Sequence, residues 1–149
     1  MKKFKQEFIV YSNIEKVWKF YTDINHLKII TPPNLNLKII KTSSQLITEG
    51  QEVIIEGKIG IFKRKWNSKI TYLKPYQYID EMINGPFKRW KHNHIFQKIN
   101  ENETQITDEI EFGISFGIIG RLLEMIAFSN LIKIFEYRKK TTKEKLERN

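Results

Sequence analysis

Cysteine is absent from this 149-residue chain, which excludes disulfide staples, thiol nucleophiles and cysteine–zinc sites. Proline, at four, and glycine, at seven, are both sparse, too few for a collagen-like or low-complexity chain. There is no long apolar run. The richest stretch, Phe112 to Phe135, is interrupted by Arg121, Glu124 and Lys133, so no membrane span is expected. The start, Met1-Lys2-Lys3-Phe4-Lys5-Gln6-Glu7, is basic with no apolar stretch behind it and does not read as a signal peptide. Without such a signal, the sequon Asn102-Glu103-Thr104 carries no weight. The expected setting is the cytoplasm.

Acidic side chains are the scarcer charge, 17 against 26 basic ones, for a net charge of +9. The lysines are scattered through every segment, densest at Phe62-Lys63-Arg64-Lys65-Trp66 and Arg138-Lys139-Lys140. Scatter of this kind describes a solvated exterior rather than a nucleic-acid footprint, so no specific nucleic-acid partner is expected. A hydrophobic fraction of 40% in a chain of this length suits one domain, residues 1–149, burying ~68% of its unfolded surface.

The patterning reads as one strand, two short helices, a run of strands and one long helix. Lys3 to Tyr11 is the first strand. Ser12 or Asn13 can cap a helix over Ile14 to Tyr21, and Asp23 a second over Ile24 to Ile30. The second ends before Thr31-Pro32-Pro33, because a residue preceding proline avoids the α region. Strands follow at Leu37–Lys41, Glu52–Gly60, Lys63–Leu73, Gln77–Asn84, Phe87–Ile99 and Thr104–Ile114. Their period of two marks a sheet with one buried face, and their short connections make it an antiparallel meander. From about Ile119 the period becomes helical. Ile118, Leu122, Met125, Ile126, Phe128, Leu131, Ile132 and Phe135 form a wide apolar stripe, and the cations from Arg138 onward suit a helix C-terminus. The fold class is therefore α+β: a curved antiparallel sheet of about seven strands whose inner face the long helix covers.

That order resembles the helix-grip fold of the SRPBCC superfamily, which includes START lipid-transfer domains, the birch-pollen allergen and aromatic polyketide cyclases. Segments similar to one bacterial branch run from Asn13-Ile14-Glu15-Lys16-Val17-Trp18 and Thr31-Pro32-Pro33 through Trp66-Asn67-Ser68-Lys69-Ile70 and Tyr78-Ile79-Asp80-Glu81. They continue with Gly85-Pro86-Phe87-Lys88-Arg89-Trp90, His92-Asn93-His94-Ile95-Phe96, Thr107-Asp108-Glu109-Ile110, Phe116-Gly117-Ile118-Ile119-Gly120 and Ile134-Phe135-Glu136-Tyr137-Arg138. Asn13 and Ser115 stand where the branch often has proline. The resemblance implies an apolar cavity and a bound small molecule. It does not imply a reaction, because the superfamily mixes carriers, sensors and enzymes.

The most informative strand is Trp90-Lys91-His92-Asn93-His94-Ile95-Phe96. Alternation puts Trp90, His92, His94 and Phe96 on one face, and the aromatic pair marks that face as inner. A short connection to the preceding strand sets Met82 opposite Trp90, Asp80 opposite His92 and Tyr78 opposite His94. On the following strand Ile106, Asp108, Ile110 and Phe112 share the inner face. Two acids beside two histidines inside a sheet admit four readings: a mutually satisfied buried set, anchors for a ligand head group, metal ligands, or a general acid–base. His26 is expected to be exposed. The glycines of Gly113 to Gly120 lack a dinucleotide fingerprint and serve the turn into the last helix.

The expected function is non-catalytic binding of an apolar or amphipathic small molecule, without cofactor or metal. Tyr78, Asp80, Trp90, His92, His94 and Asp108 would be its polar and aromatic wall. Trp66, Ile110, Phe112, Phe128, Leu131 and Phe135 would be its apolar surface. The alternative is a polyketide cyclase or dehydratase-like enzyme using His92 or His94 as general acid or base. The sequence leaves open both the ligand's identity and the oligomeric state.

Overall fold

The computed structural model describes residues 1–115 and 117–148. Phe116, part of the segment similar to the family at the turn into the last helix, lies outside them. The chain runs β1 (Lys2–Val10), α1 (Ile14–Thr22), 3-10 turns at Ile24–Lys28 and Pro33–Leu35, β2 (Lys38–Thr42), β3 (Glu52–Ile59), β4 (Phe62–Lys74), β5 (Gln77–Asn84), β6 (Arg89–Asn100), β7 (Glu103–Gly113) and α2 (Gly117–Leu146). The strands form one curved antiparallel sheet in the order β1-β7-β6-β5-β4-β3-β2. Each hairpin keeps chain neighbours adjacent, and only β1 is carried to the far edge, beside β7. The expected order of elements is the observed one. The second short helix is a 3-10 turn, and the turn at Pro33 is an addition to the expected set.

Local chemistry explains the elements. Phe4, Phe8 and Val10 alternate inward along β1. Asn13 ends that strand with an extended backbone and accepts the Lys16 N–H at 2.9 Å, so it caps α1. Replacing Asn13 with alanine orphans that donor. The expected cost is about 1 kcal/mol, read as a lower urea midpoint with unchanged slope. Gly60 takes a φ of 61° at the tip between β3 and β4, a region closed to most side-chain-bearing residues.

The helix α2 departs from the expectation. Ile118, Leu122, Met125, Ile126 and Ile132 are exposed, while Leu131 and Phe135 are buried and Phe128 is half-buried. At about 3.6 residues per turn the inward group falls on one side and the exposed group on another. The single wide stripe is two faces, one packed on the sheet and one turned outward. Phe4, Ile110, Phe112, Leu131 and Phe135 make one core cluster, and Val10, Val17, Phe20, Tyr21, Phe96 and Ile106 belong to a second, around α1. Among the described residues no helix is long and apolar enough to cross a membrane.

Candidate functional site

The register of β5, β6 and β7 builds the site. Tyr78 lies opposite His94 and Asp80 opposite His92; on the other side His94 lies opposite Asp108 and His92 opposite Ile110. The pairings read from the alternation hold for Tyr78, Asp80 and both histidines, and all four groups of the Asp–His set meet inside the sheet. His92 Nε2 lies 2.8 Å from Asp108 Oδ1, and His94 Nε2 lies 2.7 Å from Asp80 Oδ2. The two imidazoles lie against each other with centroids 3.6 Å apart and planes tilted by 32°, and Tyr78 stacks on His94 at 4.0 Å.

A fifth member comes from α2. Arg138 is 6% exposed, and its Nη2 reaches Asp108 Oδ1 and His94 Nδ1, each at 3.2 Å. Its guanidinium lies over the Tyr21 ring at 4.9 Å and the Phe135 ring at 5.4 Å. The sequence pattern groups Arg138 with the solvent cations of the helix end. The structure corrects this: Arg138 follows Leu131 by seven residues and Phe135 by three, so it shares their inward face. That spacing is the signal that could have found it.

Guanidinium groups only donate, so His94 Nδ1 accepts from Arg138 and its proton sits on Nε2, donated to Asp80. Burial would raise the Asp80 carboxyl; the bond from His94, with the neighbouring His92 and the Arg138 charge, outweighs it and holds the group below its ordinary value. Burial acts likewise on Asp108, where the charge of Arg138 and the bond from His92 hold the carboxyl well below the usual range. Burial, with the neighbouring His94, pushes His92 down to about 4 despite Asp108. Burial pushes the Tyr21 hydroxyl up to about 12, and Tyr21 Oη shares a 2.7 Å hydrogen bond with Thr142 Oγ1. Burial likewise pushes the Tyr78 hydroxyl up, so both tyrosines are neutral.

Beside this cluster lies a cavity of about 670 Å³, between the sheet, the 3-10 turns and α2. Of the candidate residues, Trp66, Tyr78, Asp80, Trp90, His92, His94, Leu131 and Phe135 line it. Three candidates do not. Asp108 is fully buried behind His92, Phe112 is fully buried in the core, and Phe128 packs edge-on against Phe4 at 6.0 Å. Ile110 is also buried in the core, off the cavity wall. Asp108, Ile110 and Phe112 are inward but sealed in the core, and Phe128 is half-buried against Phe4. The wall instead includes Leu27, Leu35, Val53, Ile55, Phe87 and Ile134, on segments whose approach to the cavity depends on tertiary packing. His26, expected to be exposed, is half-buried on the wall; its ring stacks on Phe20 and bonds the Phe20 carbonyl at 2.8 Å.

Asp80 is the cluster's face toward the cavity. It keeps 21% of its side chain accessible, against 7% for His92 and 5% for His94. Its Oδ2 is held by His94, while no protein hydrogen bond reaches its Oδ1 among the described residues. Asp80, His92 and His94 bring donor atoms within 4.8 Å of one another and could gather around a cation. Doing so would break the bond from His94 Nε2 to Asp80 and require that nitrogen to lose its proton.

A family model described as polyketide cyclase / dehydrase and lipid transport matches residues 13–131. No curated protein matches the chain. Among solved structures, a protein from Thermus thermophilus is similar with a TM-score of 0.77 at 15% identity, over 97% of each chain. A START superfamily protein from Mycobacterium smegmatis gives 0.74 at 12% identity, over 97% of each chain. The Zhui aromatase/cyclase from Streptomyces sp. R1128 gives 0.76 at 14% identity, over 99% of this chain and 94% of that one. At these identities the structural likeness establishes the shared helix-grip fold.

Proposed function

We propose that this chain, which belongs to the polyketide cyclase / dehydrase and lipid transport family within the SRPBCC superfamily, binds an apolar or amphipathic small molecule in its cavity without transforming it. The observation that carries this reading is an apolar cavity of about 670 Å³ with an ionised, partly accessible carboxylate, Asp80, on its wall beside the aromatic side chains. The volume lies in the usual range for small-molecule sites, ~300–1,000 Å³, and an apolar wall with few convergent polar groups is their usual composition. A general base needs a nitrogen within reach of substrate. Here His92 Nε2 is occupied by Asp108, His94 Nε2 by Asp80 and His94 Nδ1 by Arg138. His92 Nδ1 faces Asp80 at 3.8 Å. Three of the four imidazole nitrogens of His92 and His94 are thus committed, and burial pushes His92 down to about 4, a weak base at neutral pH, which favours binding over the cyclase or dehydratase reading.

The wall also sets the polarity of the ligand. Asp80 Oδ1 accepts and cannot donate, and Arg138 is already matched by Asp108. A head group that donates, a hydroxyl or an amine, suits the site, and a carboxylate or phosphate does not. Native mass spectrometry of the purified protein, followed by extraction, should release such a molecule. In titration, a long-chain alcohol or amine should quench Trp66 and Trp90 fluorescence at micromolar concentration and bind roughly tenfold tighter than the matching fatty acid, about 1.4 kcal/mol. Asp80→Asn should erase that preference, and Trp90→Ala should weaken all binding. Lys91→Ala, on the outer face and paired with Glu81, should change neither. Absence of binding by any apolar probe at high micromolar concentration, or turnover of a polyketide-like substrate that His92→Ala abolishes, would overturn the reading.

A further inference from the structure

The third histidine of the chain stands apart from the buried cluster. His26 lies in the 3-10 turn Ile24–Lys28 that follows α1, on the wall of the cavity. The turn is pinned in place. Asp23 accepts the Asn25 N–H and the Gln45 side-chain amide, each at 2.9 Å, and the Ile24 N–H bonds the Gln45 carbonyl at 2.9 Å. The ring is pinned as well. It stacks on Phe20 with centroids 4.4 Å apart and planes 20° apart, and its Nδ1 lies 2.8 Å from the Phe20 carbonyl oxygen.

A carbonyl only accepts, so Nδ1 carries the proton. In the neutral ring Nε2 is then an acceptor, and the bond at Nδ1 sets its direction. No protein donor reaches Nε2 among the described residues, and the atom is accessible rather than sealed in the protein. Its polar neighbours on the wall are already engaged: both Asp23 oxygens accept bonds, and Thr31 Oγ1 donates to the Leu27 carbonyl at 2.6 Å. Nδ1 meets a neutral carbonyl rather than a carboxylate that would steady an imidazolium, which suits an acceptor more than a proton-abstracting base. Asp80 Oδ1 is the other unmet acceptor considered above. Asp80 stands on the sheet and His26 on the turn after α1, so the two belong to different walls of one cavity. The remaining wall is mainly apolar, Leu27, Ile30, Val53 and Ile55 among it.

We propose that His26 Nε2 is a second polar anchor of the cavity, so that its ligand is an elongated apolar molecule with a hydrogen-bond donor at each end, one given to Asp80 and the other to His26. The inference rests on the binding reading above and narrows its ligand class. A long-chain diol or amino alcohol satisfies both anchors at once. A simple fatty alcohol satisfies one. A dicarboxylate only accepts, so it meets an acceptor at either end and suits neither. Both anchors sit on fixed backbone, so the second bond strengthens binding only where the chain between the donors spans the distance between them.

The test is a titration, followed by tryptophan fluorescence, with straight-chain α,ω-diols of roughly 6 to 12 carbons and the primary alcohol matching each. At one chain length the diol should bind about tenfold tighter than its alcohol, and the advantage should vanish in the shortest pairs. His26→Phe keeps a ring to stack on Phe20 but has no acceptor. It should erase the diol advantage and leave the alcohol's affinity within about twofold. His26→Gln, whose amide can serve the Phe20 carbonyl and still present an oxygen, should retain part of the advantage. Lys28→Ala, exposed on the same turn, should change neither affinity. Alcohol binding with no diol advantage at any length overturns the inference and leaves the cavity reading standing. So does a diol advantage that His26→Phe leaves intact. Equal weakening of diol and alcohol by His26→Phe also overturns it, because it assigns His26 a structural role alone. Binding of neither series overturns the inference together with the reading it rests on.

Discussion

Arg138→Met should lower stability by about 3–5 kcal/mol, the cost of removing one partner of a buried ion pair. For a chain of this length that is a melting temperature roughly 10 °C lower. The reason lies with what remains. Asp108 has no exposure, and its Oδ1 is met by Arg138 and His92 while its Oδ2 has no protein partner among the described residues. Without the guanidinium, a buried carboxylate is left with His92, which is itself held neutral by burial. Methionine keeps much of the apolar stem, so the loss reports charge rather than packing. Lys140→Met, exposed on the same helix, should stay within about 0.5 kcal/mol of wild type. Adding Asp108→Asn to Arg138→Met should recover part of the loss, because the uncompensated charge goes with it. A melt of Arg138→Met within about 1 kcal/mol of wild type would mean that the pair is not coupled as its 3.2 Å separation implies.

How much of this was legible follows from the kind of pattern each feature obeys. Alternation on β6, with a short connection back to β5, sets Asp80 against His92 and Tyr78 against His94, because a slip of one residue would turn Trp90 and Phe96 outward. Asp108 follows from the same rule on β7. The faces of α2 are not separable this way. Its first half is apolar on both sides, so periodicity has no polar boundary to mark, and Ile118 and Leu122 read as core. Arg138 sits at inward spacing from Leu131 and Phe135, yet its neighbours Lys139 and Lys140 make it look like part of a solvent run. Nor can alternation tell a residue that touches the cavity from one behind it. Phe112 and Trp90 share a face and lie opposite each other, but Phe112 is sealed by Phe4, Phe87 and α2 while Trp90 meets the void.

The cluster should also make stability fall steeply on acidification, beginning near neutrality. His92 takes up a proton at about pH 6.5 in the unfolded chain but only at about 4 in the folded one. The unfolded state therefore binds more protons between those values, and stability must rise with pH across that window. The contribution is fully present above pH 6.5 and is lost as pH falls through 4. The gap between the two values corresponds to about 3 kcal/mol. Asp80 and Asp108, both held below their ordinary values, act in the same direction but lower, since their share is intact above about pH 4 and disappears beneath it. Urea unfolding at a series of pH values should thus show two descending segments, the upper from the histidine and the lower from the carboxylates. His92→Gln cannot take the proton, so it should start less stable at pH 7 and lose the upper segment while keeping the lower one. A wild-type profile that stays flat from pH 7 to 4.5 would contradict the neutral, buried state of His92. A His92→Gln profile that keeps the wild-type slope would move the upper segment to another group.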